Sequence, residues 1–223
     1  MTHLLFVHLA KTGGTTVRRI LKASAFSNFD CLHHHTFIRF RNGERVHRGR
    51  FTPKELGPYP MAFLMVRHPV ARFISCYHYF LAGGLNAQSM DRVFPADQAA
   101  QQFLESQAPC IEECCLKLPE IAARLPHFQP MSYWLDALPN PLADLVFTGR
   151  QERFDLDLQC LFDQLGVFLD AASLHRSNSS RSLEPSAPLE AGLSAEAQAH
   201  LHAFYAEDFR RFNYCLEPEA ESQ

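Results

Sequence analysis

FVHLAKTGGTTVRRI, residues 6 to 20, decides how the rest of the chain is read. The apolar run HLLFVHL (3–9) has strand length and leads into Lys11-Thr12-Gly13-Gly14-Thr15-Thr16. A helix is expected over 15–26, with Val17, Ile20, Leu21 and Ala25 facing inward. A strand, a glycine turn and a helix N-terminus together make an anion site. The first helical N–H groups have no intrahelical partner, the helix dipole is positive there, and glycine lets a phosphate approach the backbone. The side chains fit the same ligand: the Thr15 and Thr16 hydroxyls can donate to phosphate oxygens, and Lys11 can neutralise charge on a bridging or leaving-group oxygen. This is not a Walker A loop, in which the lysine follows the glycines.

At 223 residues the chain is long enough for one domain with a real core, and 47% hydrophobic against 20% charged residues is a globular composition. A net charge of −3 gives no global reason to expect nucleic acid. The charge is uneven: Arg39, Arg41, Arg45, Arg48, Arg50 and Lys54 crowd one segment, which reads as a solvated face or as a basic lip for an anionic ligand. The run at 3–9 is too short for a bilayer and has no basic residue before it, so neither a transmembrane segment nor a signal peptide is expected. Seven cysteines without framework spacing suit a reducing cytoplasm. Cys110, Cys114 and Cys115 fall at helical spacing and read as buried thiols before redox groups or metal ligands.

Further elements follow from periodicity. FDCLHHHTF (29–37) is a second strand, or a strand and a loop; PMAFLMV (60–66) is a buried strand; and Pro69 opens a helix. Residues 97–138 are expected to be mostly helical, broken at Pro109, Pro119, Pro126 and Pro130. LADLVFTG (142–149) is a third strand candidate and 155–166 an amphipathic helix closed by Gly166. A polar loop is expected over 173–192, then a helix over 195–212 capped by Ser194. Buried strands alternating with helices predict an α/β architecture with a mainly parallel sheet. The chain reads as a single domain, 1–223, with a mostly helical insertion at about 84–138. A second motif, VRHPVARFISCYHYF (66–80), offers Arg67 at a strand end for bidentate grip on another phosphate, with Ser75 about two turns into the helix; a structural ion pair and a packed serine are the plain alternative.

Together these segments resemble the cofactor signatures of the sulfotransferases, particularly the carbohydrate branch. FVHLAKTGGTT resembles the family's 5′-phosphosulfate loop, and LMVRHPVARFISCYHYF its 3′-phosphate segment. FTGRQERFDLDLQCLFDQLG and LSAEAQAHLHAFYAEDFRRFNY are similar to segments further along that family. The resemblance implies a three-layer, P-loop nucleotide-hydrolase-like fold. It also implies the donor 3′-phosphoadenosine-5′-phosphosulfate (PAPS), the product 3′-phosphoadenosine-5′-phosphate (PAP), and sulfuryl transfer to a hydroxyl of a carbohydrate or glycoconjugate. It assigns Lys11, Thr12, Gly13, Gly14, Thr15 and Thr16 to the 5′-phosphate loop and Arg67 and Ser75 to the 3′-phosphate. Arg181, in a loop that loosely resembles the family's cofactor-closing loop, is a further cation for the 3′-phosphate. No metal is required.

Family members place a glutamate or histidine base after the first helix, where this chain has His33, His34 and His35. An ordinary histidine titrates near neutrality and makes a good general base. On an extended strand His33 and His35 share a face; His35 is favoured, then His33, then His34, while an i,i+2 metal pair or plain strand histidines are the alternatives. The acceptor is left open: residues 39–54 fit an acidic glycan, an anionic lipid or a phosphorylated sugar. Two other functions compete, a P-loop-type nucleotide kinase or hydrolase and a catalytically inert nucleotide-binding protein. Without an anchor, a cytoplasmic enzyme is expected; the oligomeric state is not readable.

Overall fold

Two apolar runs, Leu4–Val7 (β1) and Met61–Val66 (β5), pair in parallel at the centre of a six-stranded sheet. The computed structural model describes residues 4–24, 27–52, 59, 61–84, 95–138, 146–166, 190 and 192–215. The other strands are Phe29–His33 (β2), Thr36–Arg41 (β3), Glu44–Arg50 (β4) and Val146–Arg150 (β6), in the order β4-β3-β2-β1-β5-β6. The β2/β1, β1/β5 and β5/β6 pairings are parallel, while β2/β3 and β3/β4 are antiparallel. The mainly parallel α/β sheet is therefore as expected, with an antiparallel extension on one side.

The chain forms two compact units, Met1–Arg67 with Tyr133–Ser177, and His68–Ser132 with Asn178–Gln223. The first unit carries the sheet. Helix Gly14–Ala23 (α1) and helix Phe154–Gln164 (designated α7) pack on one sheet face, where Phe6, Phe29, Phe63, Val17, Ile20 and Leu158 share a core. The alternate residues Leu5, Val7, Ala62 and Leu64 are also buried. Burial of both faces is what parallel strands in a layered α/β fold require, and it explains why β1 and β5 read as continuous apolar runs.

The second unit is helical: Pro69–Leu81 (α2), Pro95–Gln107 (α3), Ile111–Leu116 (α4), Leu118–Arg124 (α5), Ala195–Phe204 (α8) and Ala206–Arg211 (α9). Helix Met131–Asp136 (α6) begins in this unit and ends in the other. Pro69 stands at the start of α2, and the Ser194 hydroxyl caps α8 by accepting from the Ala197 N–H at 3.1 Å. Buried Asp208 accepts from the N–H groups of Met131 and Ser132, at 2.7 and 2.8 Å, capping α6. The last helix, expected unbroken over 195–212, is interrupted at Tyr205, whose buried hydroxyl donates to the Phe128 carbonyl at 2.7 Å. Cys114 and Cys115 are buried and Cys110 is exposed; burial pushes the Cys115 thiol up to about 12.

The antiparallel extension is the largest departure from expectation. Residues 39–54 read only as a basic surface, yet most of them lie in the β3–β4 hairpin. Its two-residue turn is Asn42-Gly43, with φ of 52° and 75°. Positive φ at both positions gives the twist a hairpin needs, and Asn-Gly is the strongest sequence signal for it.

Candidate active site

The glycine loop is built by close approach. Gly13 caps α1 with φ 86°, and α1 starts at Gly14. A Cβ on Gly14 would lie 1.9 Å from Cδ2 of His8, and one on Gly13 would lie 2.9 Å from Cε2 of Phe154. Both positions must be glycine, so the N-terminus of α1 presents bare backbone. The first bonds of the turn run from the Thr16 and Val17 N–H groups to the Gly13 carbonyl, at 3.0 and 3.2 Å. The Gly14 and Thr15 N–H groups precede them and have no intrahelical acceptor. Thr15 is exposed and Thr16 buried, while buried Thr12 donates its hydroxyl to the Leu9 carbonyl at 3.0 Å and braces the turn. A loop of this kind fits a phosphate group: unfilled donors, no side chains in the way, and a helix dipole behind them.

Lys11 is half-buried with φ 65°, and the Arg67 guanidinium reaches its carbonyl, with Nη1 at 3.5 Å. The segments that follow β1 and β5 thus set the Arg67 guanidinium against the Lys11 backbone, 56 residues away in sequence. Ser75 is half-buried on α2, in the second unit. Its neighbour Arg72 is interior, 1% exposed, donating to the carbonyls of His127 and Gln129 and lying over the Tyr205 ring. Arg181 lies outside the described residues, as do residues 173–189 of the expected polar loop.

The three histidines do not form one extended segment. β2 ends at His33, His34 has φ 52°, and β3 starts at Thr36, so the chain reverses across 34–35. The expected shared face of His33 and His35 is overturned by this turn, because alternation holds only along an unbroken strand. The rings instead stack. His8, just after β1, and His33, at the end of β2, have centroids 4.4 Å apart; His33 and His34 are 4.3 Å apart, and His34 and Trp134 4.6 Å apart. Burial, helped by the Arg18 and Arg48 charges, lowers His33 to about 4. His35 is exposed, edge-on to Trp134 at 5.2 Å. It lines a 510 Å³ cavity with Thr36, Arg48 and Arg50. Sequence reasoning missed Trp134; it comes from α6, a hundred residues from the histidines, and no local pattern marks it.

A second cavity, of 850 Å³, lies between α1 and the hairpin and is lined by Thr15, Arg18, Arg19 and Lys22 on one side and Phe40 and Arg45 on the other. Thr15 links it to the glycine loop.

The sulfotransferase family model matches residues 2–215. The chain belongs to the sulfotransferase family. No curated protein and no solved structure matches it. As a member of that family it is a sulfotransferase enzyme, and the strand–loop–helix around Lys11 lies within the matched region. Among the described residues, no helix of this sulfotransferase is long and apolar enough to cross a membrane.

Proposed function

We propose that this sulfotransferase transfers the sulfuryl group of PAPS to a hydroxyl of a carbohydrate or glycoconjugate, and that the whole chain works as one sulfotransferase domain. The observation that carries the donor is the bare α1 N-terminus over His8, with Lys11 and Arg67 meeting beside it. The family match, running through both units, supports the single domain. When bound, PAPS supplies an activated sulfuryl group on a phosphate leaving group. The backbone of Gly13 to Thr16 and the Thr15 hydroxyl hold the 5′-phosphate, Thr12 holds the loop in shape, and Lys11 neutralises charge on the departing oxygen. Arg67 is the cation proposed for the 3′-phosphate; the roles of Ser75 and Arg181 there rest on the family resemblance of their segments alone.

His35 is the favoured base, since it is exposed beside a cavity and can meet an acceptor hydroxyl. His33, the second candidate, is a weak proton acceptor at about 4 and is better suited to supporting the ring stack. Seven cysteines without framework spacing support a cytoplasmic enzyme.

The test is calorimetric binding of PAP and of ATP, with and without magnesium. Tight, magnesium-independent PAP binding that falls sharply in Arg67→Ala is expected. Magnesium-dependent binding of ATP alone would replace the donor with a kinase substrate. Lys11→Ala should lower turnover by about 10²–10³-fold or more with the urea midpoint unchanged. Near-normal turnover there would remove Lys11 from the reaction.

A further inference from the structure

The stacked rings at this end of the sheet form a column whose chemistry changes along its length. Phe63 and Phe6 stack at 4.8 Å within the core under α1, and Phe6 stacks on His8 at 5.4 Å. From His8 the column runs through His33 and His34 to Trp134, with neighbouring planes inclined by 21°, 25° and 21°. A core uses rings for the area they bury, and Phe63 and Phe6 supply that. The imidazoles begin where the column leaves the apolar core and reaches the glycine loop.

Both ends of this polar half touch a part of the site. At one end the His8 ring fills the place of a Gly14 side chain: a Cβ there would lie 1.9 Å from Cδ2 and 2.0 Å from Nε2. The His8 backbone is itself fixed to β2, since its N–H donates to the Leu32 carbonyl at 2.7 Å. At the other end Trp134 stands edge-on to the exposed ring of His35. Among the described residues the His35 side chain has no hydrogen bond and no other ring against it, so Trp134 is what orients it. Trp134 is buried, 6% exposed, with His34 stacked on it.

We infer that His8, His33, His34 and Trp134 are positioning residues that tie the donor's phosphate seat on the α1 N-terminus to the ring of the base, so that a donor on the loop steadies His35 for the acceptor hydroxyl. This role rests on the sulfotransferase reading above, with His35 as the base. Transfer needs the leaving phosphate, the sulfuryl group and the base in one arrangement, and a misplacement of about 1 Å can cost about 10²-fold in rate. Packed rings suit the task, because an interior of crystal-like density passes on a displacement instead of absorbing it.

Trp134 is the single tryptophan of the chain, so tryptophan emission reports one place. The test is a titration with PAP, followed by calorimetry, by Trp134 fluorescence and by the His35 ring resonances in NMR, assigned with His35→Gln. In the wild type PAP should shift the Trp134 emission and move and sharpen the His35 signals. His34→Asn removes the linking ring at a position of φ 52°, a left-handed conformation that asparagine also adopts. It should bind PAP within about threefold of the wild type and lose most of the Trp134 and His35 responses. His34→Phe, which returns a ring, should restore both. Should His34→Asn fail to fold, Trp134→Leu answers at His35 alone: PAP bound and His35 unmoved is expected, and a His35 response of wild-type size overturns the inference. Wild-type protein that binds PAP with no change at Trp134 and His35 also overturns it. So do full responses in His34→Asn, or a loss of PAP affinity there of about tenfold or more, which would make the ring a prop of the loop alone. Wild-type protein that binds no PAP overturns the donor reading and this role with it, a result distinct from PAP bound beside a silent column.

Discussion

The two faces of the β3–β4 hairpin carry the same residue type to opposite ends. On one face Arg39 and Arg41 converge on Asp30 of β2, with contacts of 3.3 and 3.0 Å to a carboxylate that is fully buried. The Tyr59 hydroxyl donates to the same carboxylate at 2.6 Å. On the other face Arg45 lines one cavity, with the acid Glu44 beside it, and Arg48 and Arg50 line another in which none of the described residues is acidic. Burial alone pushes the Asp30 carboxyl up, but Tyr59, Arg39 and Arg41 outweigh it and hold it below the ordinary carboxylate range. One set of arginines is part of the fold. The other is exposed and has no ion-pair partner among the described residues. A stretch of basic sequence is therefore not one surface, and the strand period decides which cations are which.

The largest effect should come from breaking the neutral face. Asp30→Ala leaves two partly buried guanidinium groups and a buried phenol without their acceptor, and should cost about 3–5 kcal/mol in urea unfolding. A loss under 1 kcal/mol would mean that the two faces do not differ in this way. Next comes acid stability at His33, on the positive face. Its folded value, about 4, lies below the ordinary histidine value, so the unfolded chain binds more protons between the two. The stability that His33 confers is complete above about pH 6.5 and is lost as pH falls towards 4, to a total of about 3 kcal/mol. His33→Gln should flatten the thermal midpoint against pH across this window. A His33 ring that titrates in NMR near the ordinary value would refute the burial and charge argument together.

The glycine loop was legible because its determinants are local. Strand, lysine, two glycines and helix lie within fifteen residues, and packing only had to add His8 beneath Gly14. β5 and the start of α2 were legible for the same reason: an apolar run followed by a proline. The hairpin carried its signal in Asn42-Gly43, but the arginines around it drew attention to charge before register. An extended segment would put His33 and His35 on one face, and the left-handed residue His34 breaks that alternation. Trp134 and the interior position of Arg72 were invisible for another reason. Each is set by partners far away in sequence: Trp134 by the ring of His34, and Arg72 by carbonyls 55 and 57 residues on. Charge, exposure and base strength at this site are properties of packing, and sequence spacing supplies only the candidates.

A smaller effect should follow from the turn that sorts the faces. Gly43 has φ 75°, and a Cβ there would lie 2.9 Å from the Lys22 backbone carbonyl at the end of α1. Gly43→Ala should lower stability by about 1–2 kcal/mol, from left-handed strain plus that contact. Amide exchange should rise across 36–50 and stay unchanged in the central strands. Protection lost throughout the sheet would show that the hairpin is not a separable extension.

The smallest expected change is the most discriminating. Arg45→Gln, Arg48→Gln and Arg50→Gln remove charges with no ion-pair partner among the described residues, so each should alter stability by no more than about 0.5 kcal/mol. Arg48→Gln should even relieve some of the pressure on His33, because the Arg48 charge is one of the causes that lower it. Its pH–stability profile should then shift slightly towards the ordinary histidine value. By contrast Arg39→Gln, one strand away on the opposite face, removes a donor to buried Asp30 and should cost clearly more. Equal costs at positions 39 and 48 would erase the distinction between the faces, since only Arg39 has a buried carboxylate to hold in the folded chain.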